Sequence, residues 1–301
     1  MSIGDPHPDM AAILDAQRRA PTPALEAMPL AEARAQFVRN NHAWNQDAPA
    51  MASADAVLGG IACTLLGAES DRVVLFVHGG GWTFGSPATH DRFARLLAAG
   101  TGARVVVPDY RLAPEFPAPA AIVDVLAVLA DLDQVAAPGA PVALCGDSAG
   151  ANIALAAALE RPARPIAFLS LLYGCFAPVF DTPSHARNGD GRYGLSTERM
   201  RWYWRNWLGP AADPRAAPLE ADLSGLPRCH LVAAGLDPLC DDSLMLADRL
   251  ARHGVPSRLD IVPGVVHGFM QMTGRLEPAR DAMDMISAEI TRALDNGEKP
   301  R

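Results

Sequence analysis

The chain lacks several features that would point to particular partners. Its apolar runs all fall short of the ~18 residues that a membrane-spanning helix needs. It has 26 basic against 34 acidic residues, a formal net charge of −8, and only one lysine, Lys299. Nucleic acids and anionic membrane surfaces recruit basic proteins. The sequence therefore argues against nucleic acid and against the membrane as partners.

Cysteine is also scarce. The chain has five, with no C-x-x-C pair, at Cys63, Cys145, Cys175, Cys229 and Cys240. An odd, scattered set of this kind is typical of free thiols in a reducing compartment. The first ten residues contain no apolar core of the kind that a secretory signal has. We therefore expect a cytoplasmic protein.

The chain has the composition of a soluble globular domain, with half its 301 residues hydrophobic and a fifth charged. From about Val73 onward, short β-branched runs alternate with helical patterns, which predicts a mostly parallel sheet with helices on both faces. The predicted strands are Val73–Val77, Arg104–Val107, Pro141–Cys145, Ile166–Leu172, His230–Ala234 and Arg258–Val262, with a weaker one at Val57–Leu66. The predicted helices are His90–Ala99, Ala118–Leu132, Ala149–Glu160, Asp241–His253 and Glu277–Leu294. The weak strand is a candidate for an antiparallel edge.

Two segments break this alternation, and we predict that both cover the C-terminal edge of the sheet. In about residues 1–50, Ala11–Arg19 and Leu30–Trp44 have the spacing of amphipathic helices. In about residues 181–210, Ser196 can cap a helix that stops at Gly209-Pro210. Ligands bind at this edge in open α/β folds. The expected organisation is therefore a set of N-terminal cap helices in 1–50 and one α/β domain over 51–301 with a second cap segment.

A candidate nucleophile lies in the run Gly146-Asp147-Ser148-Ala149-Gly150. The run follows the apolar stretch 142–145 and opens a helix of small residues, which is the strand–turn–helix context of the G-x-S-x-G motif. Glycines suit a sharp turn that lifts Ser148 clear of the sheet, because a side chain there would collide with the next element. Taken alone, the motif leaves a plain glycine-rich turn open as the alternative.

A second glycine-rich loop, His78-Gly79-Gly80-Gly81-Trp82, follows the apolar run 74–77. Consecutive glycines let backbone N–H groups approach a ligand closely. In lipases and esterases such groups join the amide after the nucleophile, here that of Ala149, to hold an oxyanion. A flexible loop is the alternative; a phosphate loop would need a G-K-[ST] sequence that is missing here. We expect His78 to brace the loop.

The candidate acid and base follow later strands. Asp237 comes just after 230–234, whereas Asp241 and Asp242 fall at the next helix start, where carboxylates usually cap. Of the eight histidines, only His267 lies in a glycine-flanked loop after the last strand and downstream of a suitable acid. The order Ser148, Asp237, His267 is the one that α/β-hydrolases use. We therefore predict a catalytic triad of these three residues.

Five motifs together resemble the bacterial esterases of the hormone-sensitive-lipase family over essentially the whole chain. They are HGGGW at 78–82, DYRLAPE at 109–115, GDSAG at 146–150, DPL at 237–239 and HGF at 267–269. The resemblance implies a three-layer α/β-hydrolase fold with a helical cap, and Gly80, Gly81 and Ala149 as oxyanion donors. It also implies structural roles below the site for Asp109, Tyr110, Arg111 and Glu115. The chain departs from many relatives at Cys240, just after the acid loop.

The function expected from these observations is that of a serine carboxylesterase acting on short- to medium-chain acyl esters through an acyl-enzyme on Ser148. No metal or organic cofactor is needed, because the three side chains are sufficient and no H-E-x-x-H spacing occurs. The triad leaves an amidase or a carbamate hydrolase open, and the fold also hosts non-catalytic small-molecule receptors.

Aromatic residues suggest a substrate pocket. Trp82 ends the glycine loop, and Tyr203, Trp204 and Trp207 recur at helical spacing in the second cap segment. They are candidates for the pocket wall, with packing of an amphipathic cap helix as the alternative. The oligomeric state stays open, and a homodimer is one alternative.

Overall fold

The structure, a computed structural model, describes residues 4–295. Residues 1–3 and 296–301, which the predicted domains include, lie outside the described residues. Within the described part, the strands form one eight-stranded sheet in the order β1-β2-β4-β3-β5-β6-β7-β8. The strands are β1 (Ser53–Leu58), β2 (Ile61–Leu66), β3 (Val73–Val77), β4 (Arg104–Pro108), β5 (Val142–Asp147), β6 (Ile166–Leu172), β7 (Cys229–Ala234) and β8 (Ser257–Val262).

The sheet is parallel from β4 through β8, and an antiparallel hairpin is added at one edge. The central strands β3, β5, β6 and β7 are buried at every residue, which is why they are apolar runs rather than alternating ones. Val57–Leu66 was predicted as one weak strand at an antiparallel edge; the antiparallel edge is confirmed, but the single strand is wrong, because the edge is formed by two strands. Gly59 and Gly60, with φ of 57° and 82°, form the two-residue turn of a hairpin.

The helices are α1 (Pro8–Arg19), α2 (Leu30–His42), α3 (Asp91–Thr101), α4 (Ala120–Asp131), α5 (Ala149–Leu159), α6 (Pro183–Asn188), α7 (Thr197–Leu208), α8 (Cys240–Arg252) and α9 (Glu277–Asp295). Two apolar cores lie on opposite faces of the sheet. Along β3, Val73, Leu75 and Val77 join one core, whereas Val74 and Phe76 join the other. Helices α4, α5 and α8 cover the first face, and α3 and α9 cover the second. The predicted three-layer α/β fold is confirmed.

The helices outside the layers lie in the two segments that broke the alternation. Helix α7 begins where expected, because the Ser196 hydroxyl accepts a hydrogen bond from the Arg199 N–H at 3.1 Å. It ends before Gly209, whose φ is 53°. Helix α6 was missed, because six residues are too few to show a helical period. It starts at Pro183, capped by the Thr182 hydroxyl.

Candidate active site

Ser148 occupies a sharp turn between β5 and α5. Its backbone has φ 53° and ψ −119°, a strained conformation for a residue with a side chain. The flanking glycines are required by contact. A Cβ on Gly146 would lie 2.4 Å from the Gly150 carbonyl oxygen, and one on Gly150 would lie 2.0 Å from that of Val77. The turn presents the Ser148 hydroxyl at the C-terminal edge of the sheet.

The structure brings the three predicted triad residues into one hydrogen-bonded chain. The Ser148 Oγ lies 2.8 Å from His267 Nε2, and His267 Nδ1 lies 2.7 Å from Asp237 Oδ2. Asp237 follows β7 and His267 follows β8, so adjacent parallel strands deliver both to the same edge. His267 is partly exposed, at 16 %, whereas the Asp237 side chain is fully buried. The geometry is that of a nucleophile, a base and an acid that orients the base.

Backbone contacts hold Asp237 in place. Its second oxygen, Oδ1, accepts a hydrogen bond from the Leu239 N–H at 2.9 Å. Its carbonyl oxygen accepts another from the Asn188 side chain at the end of α6, at 3.3 Å. The neighbouring Asp241 faces the same segment, because its Oδ2 accepts the Ser184 N–H at 2.7 Å. The acid loop is thus joined to α6, while only Asp237 of these carboxylates reaches His267.

The glycine loop after β3 adopts a conformation that other residues rarely reach. Gly80 has φ 121° and Gly81 has φ 60°. A Cβ on Gly80 would lie 2.2 Å from the Phe84 carbonyl oxygen, and one on Gly81 the same distance from the Tyr203 ring. Both glycines line the cavity that Ser148 lines. Ala149 is the first residue of α5, where N–H groups have no partner within the helix.

His78 lies below this loop. It is fully buried, stacks on the Tyr110 ring at 4.3 Å, and places Nδ1 2.9 Å from the Gly79 carbonyl oxygen. The Tyr110 hydroxyl donates to the His78 carbonyl oxygen at 2.7 Å. Burial lowers the pKa of His78 to about 3, so its ring is neutral at ordinary pH. These contacts are those of a bracing residue, and they give Tyr110 of the DYRLAPE motif a contact below the loop.

Two other residues of that motif hold neighbouring elements. Arg111 pairs with the buried Asp124 of α4 at 2.6 Å. Both Glu115 oxygens accept hydrogen bonds from Arg34 of α2, each at 2.8 Å. Asp109 is exposed to solvent, although partial desolvation still raises its pKa. The motif therefore joins α4 and the N-terminal helices to the edge of the site.

A cavity of about 290 Å³ opens above Ser148 and His267. Its wall comes from both segments outside the layers, and Tyr203 forms part of it as expected. Trp82, Trp204 and Trp207 do not line it, which corrects their assignment to the pocket wall. These indoles are buried together, with the Trp82 ring 4.8 Å from Trp204 and 5.3 Å from Trp207. The rest of the wall includes Leu25, Phe37, Asn40, Asn41, Trp44, Leu195, Arg199, Met200, Gln271 and Met272.

Two buried residues of the cavity were missed by sequence reasoning. Asp147 was quoted only as the variable residue of its motif, and His90 only as a helix start. His90 Nε2 lies 3.7 Å from Asp147 Oδ1, and both residues line the cavity. Burial raises the pKa of Asp147 to about 6 and lowers that of His90 to about 4. For Asp147, the sequence signal that could have indicated a role was an acidic residue directly before the nucleophile.

Within residues 4–295, no group of three or more His, Cys, Asp or Glu side chains is arranged to hold a metal ion. Within the same range, every helix is too short or too polar to cross a bilayer. All five cysteines are free and buried.

The fold and this site define a class of protein. A family model described as the α/β-hydrolase fold matches residues 74–271, a span that includes the glycine loop, Ser148, Asp237 and His267. The chain belongs to this hormone-sensitive-lipase-like family of α/β-hydrolases.

Similar proteins are esterases by name. The chain is 38% identical over 237 residues to carboxylesterase NlhH of Mycobacterium tuberculosis, covering 74% of each chain. It is 32% identical over 271 residues to an acetyl esterase of Salmonella paratyphi B, covering 83% of each. Among solved structures, a hyperthermophilic esterase of the archaeon Pyrobaculum calidifontis matches with a TM-score of 0.89 and 30% identity, over 96% of this chain and 99% of that one.

Proposed function

We propose that this serine ester hydrolase cleaves esters of short- to medium-chain acids through an acyl-enzyme formed on Ser148. The observation that carries the proposal is the continuous hydrogen-bonded chain from Ser148 through His267 to Asp237, with contacts of 2.8 and 2.7 Å. The names of the similar proteins support an ester as the substrate.

In the acylation step, the Ser148 oxygen attacks the ester carbonyl carbon while its proton moves to His267 Nε2. Asp237 stabilises the resulting imidazolium and keeps Nδ1 protonated, without taking that proton itself. The imidazolium then gives its proton to the leaving alcohol as the C–O bond breaks. A water molecule repeats the sequence on the acyl-enzyme, which releases the acid and restores Ser148.

The carbonyl oxygen becomes negatively charged in both steps. We propose that the N–H groups of Gly80, Gly81 and Ala149 stabilise it. Support comes from the left-handed conformations of the two glycines beside Ser148 and from the position of Ala149 at the start of α5. A preorganised donor of this kind contributes roughly 2.7–4 kcal/mol in enzymes where one was removed.

The size of the substrate follows from the cavity and its cover. We propose that the two segments predicted as caps, residues 1–50 and about 181–210, cover the site, because described residues of both contribute to the wall of the cavity. Its volume of about 290 Å³ is at the lower end of the ~300–1,000 Å³ typical of ligand pockets. The wall also carries the polar groups of Asn40, Asn41 and Arg199, which a long alkyl chain would desolvate. Short acyl groups therefore fit best.

We further propose a cytoplasmic location. The five buried, unpaired thiols support it, since free thiols persist where the compartment is reducing. The substrate is expected to be a small molecule rather than a lipid surface or a nucleic acid. A homodimer remains a hypothesis that size-exclusion chromatography with light scattering would test.

Replacement of the nucleophile tests the proposed function. Ser148→Ala should fold normally and lose esterase activity by several orders of magnitude, since loss of a triad nucleophile costs ~10⁶ in kcat in a well-studied protease. The measurement is hydrolysis of p-nitrophenyl butyrate. The matched control is Ser243→Ala in α8, which removes a buried hydroxyl that has no hydrogen-bond partner among residues 4–295. A Ser148→Ala enzyme with a tenth of wild-type activity would overturn the assignment.

A further inference from the structure

A carboxylate outside the triad lies directly below the glycine loop. Asp147 is the last residue of β5, immediately before Ser148, and it is buried. Its Oδ1 accepts a hydrogen bond from the Gly79 N–H at 2.7 Å. A charge-assisted bond to a backbone N–H is short and about twice as strong as a neutral one. Asp147 thus connects the strand that carries the nucleophile with the loop that carries Gly80 and Gly81.

The fit between Asp147 and the loop is close. A Cβ on Gly79 would lie 2.7 Å from Asp147 Oδ2 and 2.8 Å from the Asp147 carbonyl oxygen. The other side of the loop is held by the Tyr110 hydroxyl, which donates to the His78 carbonyl oxygen. The peptide between His78 and Gly79 is therefore held at both its N–H and its carbonyl oxygen by buried polar contacts. Its position relative to Ser148 depends on the Asp147 acceptor.

A buried carboxylate is costly, and this one has few compensating partners. Burial raises its pKa to about 6, while hydrogen bonds from the Gly79 N–H and the Tyr173 hydroxyl and the neighbouring imidazoles lower it in part. That hydroxyl is 3.5 Å from Oδ2, and His90 Nε2 is 3.7 Å from Oδ1. Cys145 and Tyr110 also face the carboxylate; burial raises the pKa of both, and the charge of Asp147 raises it further. A group retained at such a cost beside a nucleophile is a candidate for a functional role.

We propose that Asp147 is a positioning residue for the oxyanion site: by holding the Gly79 N–H, it fixes the amides of Gly80 and Gly81 at the distance from Ser148 that the transition state requires. The inference rests on the proposed function of Ser148 and the glycine loop. It predicts that loss of the acceptor impairs the chemical step rather than substrate binding, because the loop meets the substrate's oxygen mainly when that oxygen becomes charged.

Two substitutions at this position separate the acceptor from the charge. Asp147→Ala removes the acceptor, and we expect kcat for p-nitrophenyl butyrate at pH 8 to fall ~10- to 10³-fold, because one oxyanion donor is worth about 10²–10³ in kcat. KM should stay within about threefold. Asp147→Asn keeps an oxygen that can accept the Gly79 N–H, so its kcat should stay within about threefold of wild type. The control Asp124→Ala removes another buried carboxylate, paired with Arg111 away from the loop.

Inhibition by a trifluoromethyl ketone provides a readout that a general loss of stability would not change. The adduct of Ser148 with this probe places an oxyanion in the loop, so its inhibition constant should weaken in Asp147→Ala by the same factor as kcat. An inhibition constant that stays at the wild-type value while kcat falls would overturn the proposal. So would an Asp147→Ala enzyme with kcat within threefold of wild type, or equal losses in the Ala and Asn variants.

A spectroscopic measurement keeps the proposal testable if Asp147→Ala does not fold. In wild type, the amide proton shift of Gly79 should move as pH falls through about 6, the value to which burial raises the pKa of Asp147. The same resonance should not show that transition in Asp147→Asn. Identical titrations in the two proteins would refute the contact. This readout does not involve catalysis. An active Ser148→Ala enzyme would therefore contradict the proposed function but would not change the result of the Gly79 measurement.

Discussion

Three carboxylates lie in the six residues 237–242 that come after β7, and they differ in what they contact. Asp237 reaches His267 Nδ1, and Asp241 accepts the Ser184 N–H. Asp242 accepts the Phe176 N–H at 3.1 Å, and burial raises its pKa well above the ordinary value. From their position at the start of a helix, Asp241 and Asp242 were expected to cap that helix. The structure shows instead that each binds a backbone N–H of a segment that is distant in sequence.

These contacts predict unequal effects of removing the charge. Asp237→Asn should lower kcat by about 10⁴, the loss measured when the same change was made in a serine protease triad. Asp241→Asn should change kcat less than about fivefold, because the amide keeps an oxygen that can accept the Ser184 N–H and the side chain is not the partner of His267. Both variants would be assayed on p-nitrophenyl butyrate after thermal unfolding shows that they are folded. Equal losses in kcat would mean that Asp241 is the acid.

The candidate triad could be predicted from sequence because each member is marked locally, by a glycine-flanked turn or by its place after a strand. Asp147 could not be predicted as a neighbour of Gly79, 68 residues away, since no local pattern encodes that approach. The assignment of the tryptophans to the pocket wall was wrong for a related reason. Helical spacing placed Tyr203, Trp204 and Trp207 on one face, but only the fold decides which rings meet the cavity and which pack on Trp82.

At the scale of elements, α2 is joined to the edge of the site by Arg34 and by Phe37, whose ring stacks on that of Phe84 at 5.3 Å. Arg34 donates to both oxygens of Glu115 and also to the carbonyl oxygens of Thr83 and Ala113, at 3.1 and 3.2 Å. The pair is partly exposed, so solvent screens it and the Coulomb energy alone is small. The contact mainly fixes the position of α2. Its four hydrogen bonds hold the helix that supplies Phe37, Asn40 and Asn41 to the cavity wall.

We therefore expect Arg34→Ala to loosen α2 without affecting the triad. Its KM for p-nitrophenyl butyrate should rise several-fold, while Ser148 still reacts with a small fluorophosphonate within about twofold of the wild-type rate. The matched control is Arg39→Ala on the same helix, which contacts only Gln36 within the described residues. Limited proteolysis of the N-terminal segment should be faster in the first variant alone. Equal proteolysis rates in wild type and Arg34→Ala would contradict the role of this contact.

The elements of the layers were predictable to within a few residues because their patterns are physically simple. Buried parallel strands such as β3 and β6 are short apolar runs, and they were predicted with their observed bounds. The hairpin β1–β2 was not resolved into two strands, since its exposed residues alternate weakly and the Gly59-Gly60 turn was overlooked. The arrangement of α1, α2, α6 and α7 depends on long-range contacts such as that of Arg34, which spacing along the chain does not reveal.

At the scale of the whole molecule, the covered cavity predicts a preference among acyl chains. For a series of p-nitrophenyl esters, kcat/KM should be highest between about two and eight carbons, because a cavity of about 290 Å³ under the proposed cap would enclose a small ligand and exclude a large one. The measurement is initial rate below the critical micelle concentration of each ester. Met200→Ala, which removes bulk from the wall, should shift the optimum toward longer chains. A wild-type preference for a C16 over a C4 ester would contradict the prediction.

The buried titratable groups around the glycine loop also affect the stability of the whole fold. Burial lowers the pKa of His90 to about 4 and that of His78 to about 3, from an ordinary value of 6.5. Between these values and 6.5, the unfolded chain binds protons that the native state does not. The contribution of these imidazoles to the free energy of unfolding is therefore fully present above pH 6.5. It decreases as pH falls below that value. The raised pKa of Asp147 has the opposite effect on stability. Between about pH 4 and 6 the native state binds a proton at Asp147 that the unfolded chain does not, so this group adds stability as pH falls.

A comparison of variants isolates the histidine contribution from the opposing carboxylate. His90→Gln removes one group that the unfolded state protonates, so its unfolding free energy should fall less steeply than that of wild type between pH 6.5 and 4. The difference in slope should approach about 1.4 kcal/mol per pH unit, which corresponds to one proton. The measurement is urea unfolding at several pH values. The control is His42→Gln, which removes an exposed imidazole from the end of α2. If His90→Gln and wild type lost stability in parallel on acidification, His90 would have to be charged in the folded protein, despite its burial beside His78.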